Sequence, residues 1–285
     1  MKNLFTSAIA VIAFVFNTSG QSQTKSPKLE NSLLWEVSGK GLSKPSYVYG
    51  TIHGICPDDY FMAEKTKKAF QKSDKLILEI NLSDPIEIAE MQKAAIASEP
   101  LSKKLTPQQL SKLDSILQKN TGFKVKQLDN FTLATVMSFI SIKTFDCETI
   151  KSYESDFIDL AKKENKTLGG FETVIGQSSM LANAYTDSEL IETLGDFNKT
   201  ETRKMVEDYK AENLMSFDDS NEKIMSDNAR KWIIDDRNID WTTRMPEMMK
   251  KESLFVAVGV GHLPGESGVI NLLRKAGYKV KPVTK

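Results

Sequence analysis

Histidine is almost missing from this chain. Two of its 285 residues are histidine, His53 and His262, so any site built on imidazole has only these to draw on. Cysteine is as scarce: Cys56 and Cys147 stand alone, with no further ligand near either at the spacing a zinc finger requires. Net charge is absent too. The 38 Lys and Arg match the 38 Asp and Glu, giving neither a basic excess that would point to nucleic acid nor an acidic excess that would point to a solvating tail. No GxSxG elbow, GxxxxGK phosphate loop, HExxH helix or dinucleotide fingerprint occurs, which removes the enzyme classes those motifs serve. Function has to be sought in a local site.

Long apolar runs are lacking as well. The longest candidate, Leu4 to Phe16 in MKNLFTSAIAVIAFVFNTSG, spans 13 residues, short of the roughly 20 that a membrane-spanning helix needs. With Lys2 before it and small residues after it, residues 1–20 read as a secretory signal cleaved near Gly20. The expected location is therefore periplasmic or secreted, with no stable membrane insertion. Residues 21–30, QSQTKSPKLE, read as a flexible leader. In an exported chain Cys56 and Cys147 could be joined, closing a loop of about 90 residues worth roughly 4 kcal/mol on the chain-entropy model. Two buried free thiols are the other reading.

The remainder, residues 31–285, has the content of a single α/β domain: 40% hydrophobic residues supply a substantial core. LLWEVSG and SYVYGTI alternate as strands do, and KLILEI suits a buried strand. KTLGGFE, LFVAVGV and YKVKPV complete the strand candidates. Asp84-Pro85 and the capping box beginning at Thr106 open helices. The apolar stretch Val125 to Phe145 reads as one core helix, and Glu266 to Ala276 as another. The predicted architecture is a central mixed sheet with flanking helices and helical insertions at about 84–165 and 178–250.

Four chemically capable residues fall at predicted strand ends, where ligands collect in an open α/β sheet. His53 follows YVYGT, Glu79 closes KLILE, Glu172 follows TLGG, and His262 follows FVAVGV. Both histidines sit three places after a glycine, Gly50 and Gly259. Two imidazoles with one or two carboxylates suit a divalent transition metal, and a second carboxylate could serve as general base. Glu79, ending an aliphatic run, needs a cation nearby: a metal, Arg237 or a surface lysine. Arg237 and Trp241 stand four apart on a predicted helix with Asn238 between them, so the two face one way. Tyr60, Tyr153 and Glu154 are also within reach of the cleft, with structural roles the plainer reading.

YVYGTIH, KLILEI, LGGFET, DDRNIDW and FVAVGVGHLPGESGVINLLRKAGYKV together resemble the TraB/GumN family, which includes the TIKI proteases. The resemblance covers about Leu33 to Val283, with GFE where the family often shows GLE. It implies a TIKI/TraB-like α/β fold whose paired GxxH motifs and acidic residues form a metal-dependent active site using manganese, cobalt or zinc. It places the family's histidines on His53 and His262, its glutamates on Glu79 and Glu172, and its arginine on Arg237. The expectation is an exported metal-dependent hydrolase, a peptidase acting on a protein or peptide. His53, His262 and Glu79 would hold the metal, with Glu79, Glu172 and Arg237 as the catalytic set. Two alternatives stay open: a haem- or metal-binding protein without turnover, and an accessory factor in envelope or polysaccharide processes.

Overall fold

A computed structural model describes residues 28–284; the expected signal segment lies outside the described residues. Six strands form one sheet: β1 (Leu34–Ser38), β2 (Ser46–Thr51), β3 (Lys75–Ile80), β4 (Thr167–Glu172), β5 (Leu254–Gly259) and β6 (Lys279–Pro282). Their order is β4-β3-β5-β2-β1-β6. Pairing among β4, β3, β5 and β2 is parallel, whereas β1 runs antiparallel to both β2 and β6. The mixed sheet expected from the sequence is therefore present, with parallel and antiparallel halves.

The strand sequences explain this order. Every residue of β2 and β5 is buried, as expected of central strands covered on both faces. β4, with two glycines and an exposed first residue, takes an edge. The parallel strands need long crossovers, and the two helical insertions supply them. Between β3 and β4 lie the helices Pro85–Ala94, Pro107–Thr121, Leu133–Thr144 and Tyr153–Lys163, with shorter turns. Between β4 and β5 lie Val174–Ala184, Asp187–Asp196, Lys199–Lys210, Leu214–Ile224 and Asp236–Lys251, the last entered through Asp227–Arg230 and a π turn at Lys231–Asp235.

Two hydrophobic cores result. One surrounds the sheet and includes Trp35, Tyr49, Phe255 and Trp241. Leu29, within the segment expected to be a leader, is buried in it. The other lies among the insertions and includes Leu113, Leu117, Val136, Ile140 and Leu194.

Two helix expectations change. Val125–Phe145 is not one helix: a 3₁₀ turn, Val125–Gln127, is followed by a break, and the helix proper is Leu133–Thr144. Thr132 caps it, its hydroxyl accepting from the Thr135 amide, while Asp129 in the break accepts from Ser102. These local polar bonds compete with continued helix. The last helix starts at Val269 rather than Glu266, because Gly265 is left-handed at φ 95° and Gly268 is extended at ψ 146°, so the backbone before Val269 is not helical.

Candidate active site

The parallel order β4-β3-β5-β2 sets four strand ends side by side, so Glu172, Glu79, His262 and His53 reach one cleft from segments up to two hundred residues apart. Arg237 enters from the helix Asp236–Lys251. The π turn before that helix inserts an extra residue into the helical phase, a feature often found at functional sites. As the i, i+4 spacing predicts, Arg237 and Trp241 both point inward, 8% and 0% exposed, with Asn238 fully buried between them.

Arg237 is the hub. Its Nε donates to Glu172 Oε1 at 2.9 Å, and its Nη2 to Glu172 Oε2 at 2.8 Å and Glu79 Oε2 at 2.5 Å. Its Nη1 donates to the Ile233 carbonyl and to His262 Nε2, each at 3.1 Å. The guanidinium lies over the Trp241 ring, 4.9 Å from its centroid, and Trp241 Nε1 donates to Glu172 Oε1 at 2.8 Å. Gln177 Nε2 bridges both carboxylates, at 3.1 Å from Glu79 and 2.9 Å from Glu172. The cation that a buried Glu79 demands is thus Arg237.

The two imidazoles are held in different electrostatic states. His262 Nδ1 faces Asn238 Oδ1 at 2.8 Å. Asn238 donates its own amide hydrogens to the carbonyls of His262 and Ser267, so Oδ1 must accept and His262 Nδ1 must carry the proton. Its Nε2 is left as the acceptor for Arg237. Burial, reinforced by the Arg237 charge, pushes the His262 pKa down to about 3, and the ring is neutral. His53 Nδ1 instead meets a carboxylate, Glu154 Oε1 at 3.0 Å. Glu154 is fixed by Thr51 at 2.5 Å and Ser152 at 2.9 Å. Burial opposes charge on His53, but the Glu154 charge and hydrogen bond outweigh it and raise the pKa above the ordinary value.

Both rings turn Nε2 toward Glu79. His262 Nε2 lies 3.8 Å from Glu79 Oε1. His53 Nε2 and Glu79 Oε1 lie 3.0 and 3.2 Å from the point that a Cβ on Gly259 would occupy. Glycine is needed there to leave that space open, and its amide donates to Glu79 Oε1 at 2.7 Å. Gly50 serves packing, since a Cβ there would press Val260 and Leu263 at 3.1 Å. Burial works against ionised Glu79, yet Arg237, the two histidines and the Gly259 amide hold its carboxyl well below the usual range.

A family model for the TraB/PrgY/gumN family matches residues 33–282. The chain belongs to the TraB/PrgY/gumN family. Among curated proteins, this family member is 23% identical to Metalloprotease TIKI1 of Danio rerio, over 91% of this chain and 65% of that protein. It is 22% identical to Metalloprotease TIKI2 of Danio rerio, over 90% of this chain and 62% of that protein. It thus spans less than two thirds of the length of these relatives. No solved structure matches it.

All five expected residues of this TraB/PrgY/gumN chain, His53, Glu79, Glu172, Arg237 and His262, meet in one cleft. Tyr153 is a core residue whose hydroxyl donates to the Phe61 carbonyl, with Tyr60 packed on its ring. Glu154, for which a structural role was the plainer expectation, is the partner of His53. Gln177 went unnoticed, because a glutamine at the start of a helix carries no sequence signal that it will bridge two carboxylates. Cys56 and Cys147 are joined, their Cα atoms 6.0 Å apart. That resolves the open alternative and ties the loop after His53 to the end of the first insertion's core helix. Among the described residues, no helix is long and apolar enough to cross a membrane.

Proposed function

We propose that this chain is a hydrolase cleaving peptide bonds in a protein or peptide, with its reacting centre between His53, Glu79 and His262. The observation that carries this reading is the convergence of two differently tuned imidazoles on one ionised carboxylate, in a chain similar to proteins named metalloproteases. His53 is the general base: with Nδ1–H held by Glu154, a water proton passes to Nε2, and Glu154 balances the imidazolium that forms. Glu79 Oε1 and the Gly259 amide border the same space and orient the water. Arg237 keeps Glu79 ionised and fixes the geometry of both carboxylates, and neutral His262 and Gln177 keep Arg237 and the carboxylates in register.

The relatives' names carry a divalent cation with them, and the sequence offered His53, His262 and Glu79 to hold manganese, cobalt or zinc. As arranged, these residues do not fit that group. Arg237 Nη1 uses the Nε2 lone pair of His262, Nη2 is bonded to Glu79, and no group of three His, Cys, Asp or Glu side chains among the described residues could hold a metal. The chemistry above is therefore derived from side chains alone. Export is part of the same proposal; the Cys56–Cys147 disulfide supports it, since such bonds persist in oxidising compartments.

The test is cleavage of a peptide panel by wild type, His53→Ala and Glu79→Gln. Each variant is expected to lose about a hundredfold or more, and equal cleavage by all three sinks the reading. Cleavage that survives exhaustive chelation supports the side-chain route. Cleavage lost on chelation and restored by manganese returns His53, His262 and Glu79 to a metal.

A further inference from the structure

A cavity of about 170 Å³ opens beside His53 and takes no part in the chemistry above. Its apolar lining is Ile52, Phe145, Phe197, Met205 and Phe217, from β2's end, from the end of the first insertion's core helix, and from the second insertion. Phe197 and Phe217 are 7% and 4% exposed, so these rings form a fixed wall. The charged residues that border it, half-buried Asp196 and Asp208 with exposed Glu201, Lys204 and Lys223, carry both signs. The wall nearest the base is stapled. Gly54 packs against Ile150 and Phe145, with no room for a larger residue, since a Cβ there would lie 3.0 Å from the Ile150 methyl. The Cys56–Cys147 disulfide and the bridge between Ile55 and Lys151 hold the two segments together.

We propose that this cavity is a side-chain pocket for an aromatic or large aliphatic residue of a peptide. Given the hydrolase reading, it positions the bond next to that residue against His53. An apolar space of this size accepts a benzene-sized group, and burying such a group is favourable without any charge partner. An acidic side chain entering it would lose its hydration against aromatic walls and meet the carboxylates of Asp196 and Asp208. A glycine or alanine would leave the space unfilled. The pocket thus discriminates by size and polarity, and the atoms that recognise the substrate are separate from those that react with it.

Binding is read first, independently of turnover, by titrating wild type with N-acetyl-phenylalaninamide and with N-acetyl-glycinamide under NMR or calorimetry. The phenylalanine amide is expected to bind at least tenfold more tightly. Met205→Trp and Ser220→Leu, on two different helices, each fill the space; in either, the preference is expected to fall below twofold while the melting temperature and circular dichroism stay near wild type. Should one variant fail to fold, the other gives the result. Equal binding of the two amides by wild type, or a preference that survives both fillings, overturns the pocket. Cleavage is read second. A panel differing only at one residue is expected to be cut next to phenylalanine or leucine at least tenfold faster than next to glycine, through KM more than kcat. If the phenylalanine amide binds as expected and no peptide is cut, the hydrolase reading falls and the pocket stands. If peptides are cut without size preference and the amides bind alike, the pocket falls and the hydrolase reading stands.

Discussion

One apolar core in this chain surrounds the sheet and the other lies among the inserted helices, and the two contribute to the site in different ways. The sheet sends His53, Glu79, Glu172 and His262 from strand ends whose positions are set by backbone ladders. The insertions send longer side chains across the gap, Arg237 and Gln177 toward the carboxylates and Glu154 toward His53, along with the aromatic walls of the cavity. Reacting groups come from the ends of the sheet's strands; groups that tune charge or shape come from the inserted helices. The expectation is a molecule whose chemistry depends on docking between halves.

Removing the strongest cross-link should therefore do most harm. Arg237→Ala leaves two buried carboxylates without their cation and is expected to cost about 3–5 kcal/mol, with cleavage abolished; denaturant melts and the peptide assay measure both. A variant as stable as wild type would mean that the halves do not need this contact. Next comes the double change Cys56→Ser with Cys147→Ser. Opening a loop of sequence separation 91 is expected to remove roughly 4 kcal/mol on the chain-entropy model, seen as a lower denaturation midpoint than oxidised wild type. Leu194→Ala, in the helical core and fully buried, should cost about 3 kcal/mol. Hydrogen exchange should then show helix amides near Leu117 and Ile140 opening while β2 and β5 stay protected. Simultaneous opening of both regions would show a single cooperative core.

Smaller effects probe the tuning. Glu154→Gln keeps the shape but removes the charge that raises the His53 pKa. Activity is expected to drop about tenfold to a hundredfold, and the acid limb of the pH–rate profile to move to lower pH, because burial then dominates and lowers the proton affinity of His53. A profile that only scales down without moving would reduce Glu154 to a packing residue. Least affected is Asp59→Asn. Asp59 accepts from Lys210 and Arg203, and the Lys210 hydrogen bond, together with Arg203, lowers its pKa. Its partners are largely in water, so the loss at neutral pH should stay below about 1 kcal/mol. A lowered folded pKa contributes stability above the ordinary aspartate range, so the difference should fade as pH drops through that range toward the lower folded value; melts at a series of pH values measure it.

Most of the sheet was legible from residue patterns alone, because uninterrupted runs such as LFVAVG and KLILEI leave few alternatives to a buried strand. The four strand-end groups were legible for the same reason: a carboxylate or imidazole that closes such a run has to face something chemical. The break at 128–132 was not, since side chains from another segment, Ser102 with Asp129, help to set it. Gln177 and the role of Glu154, which the sequence only put within reach of the cleft, were hidden for a related reason. Each sits on a helix whose partner is fixed only when that helix docks on the sheet. Read as a list, His53, His262 and Glu79 suggest a metal; that Arg237 bonds His262 and Glu79 was not legible, because it belongs to a helix whose phase is shifted by a π turn.

The strand order has a bearing on when the protein can act. β5, the fifth of the six strands in chain order and the neighbour of both β2 and β3, is made only after some 250 residues have left the ribosome. Until then β2 and β3 have no partner between them, and His53 and Glu79 have neither His262 nor the Gly259 amide. A nascent or unfinished chain consequently lacks the assembled cleft, and the contacts that complete it span nearly its whole length, a topology that folds slowly.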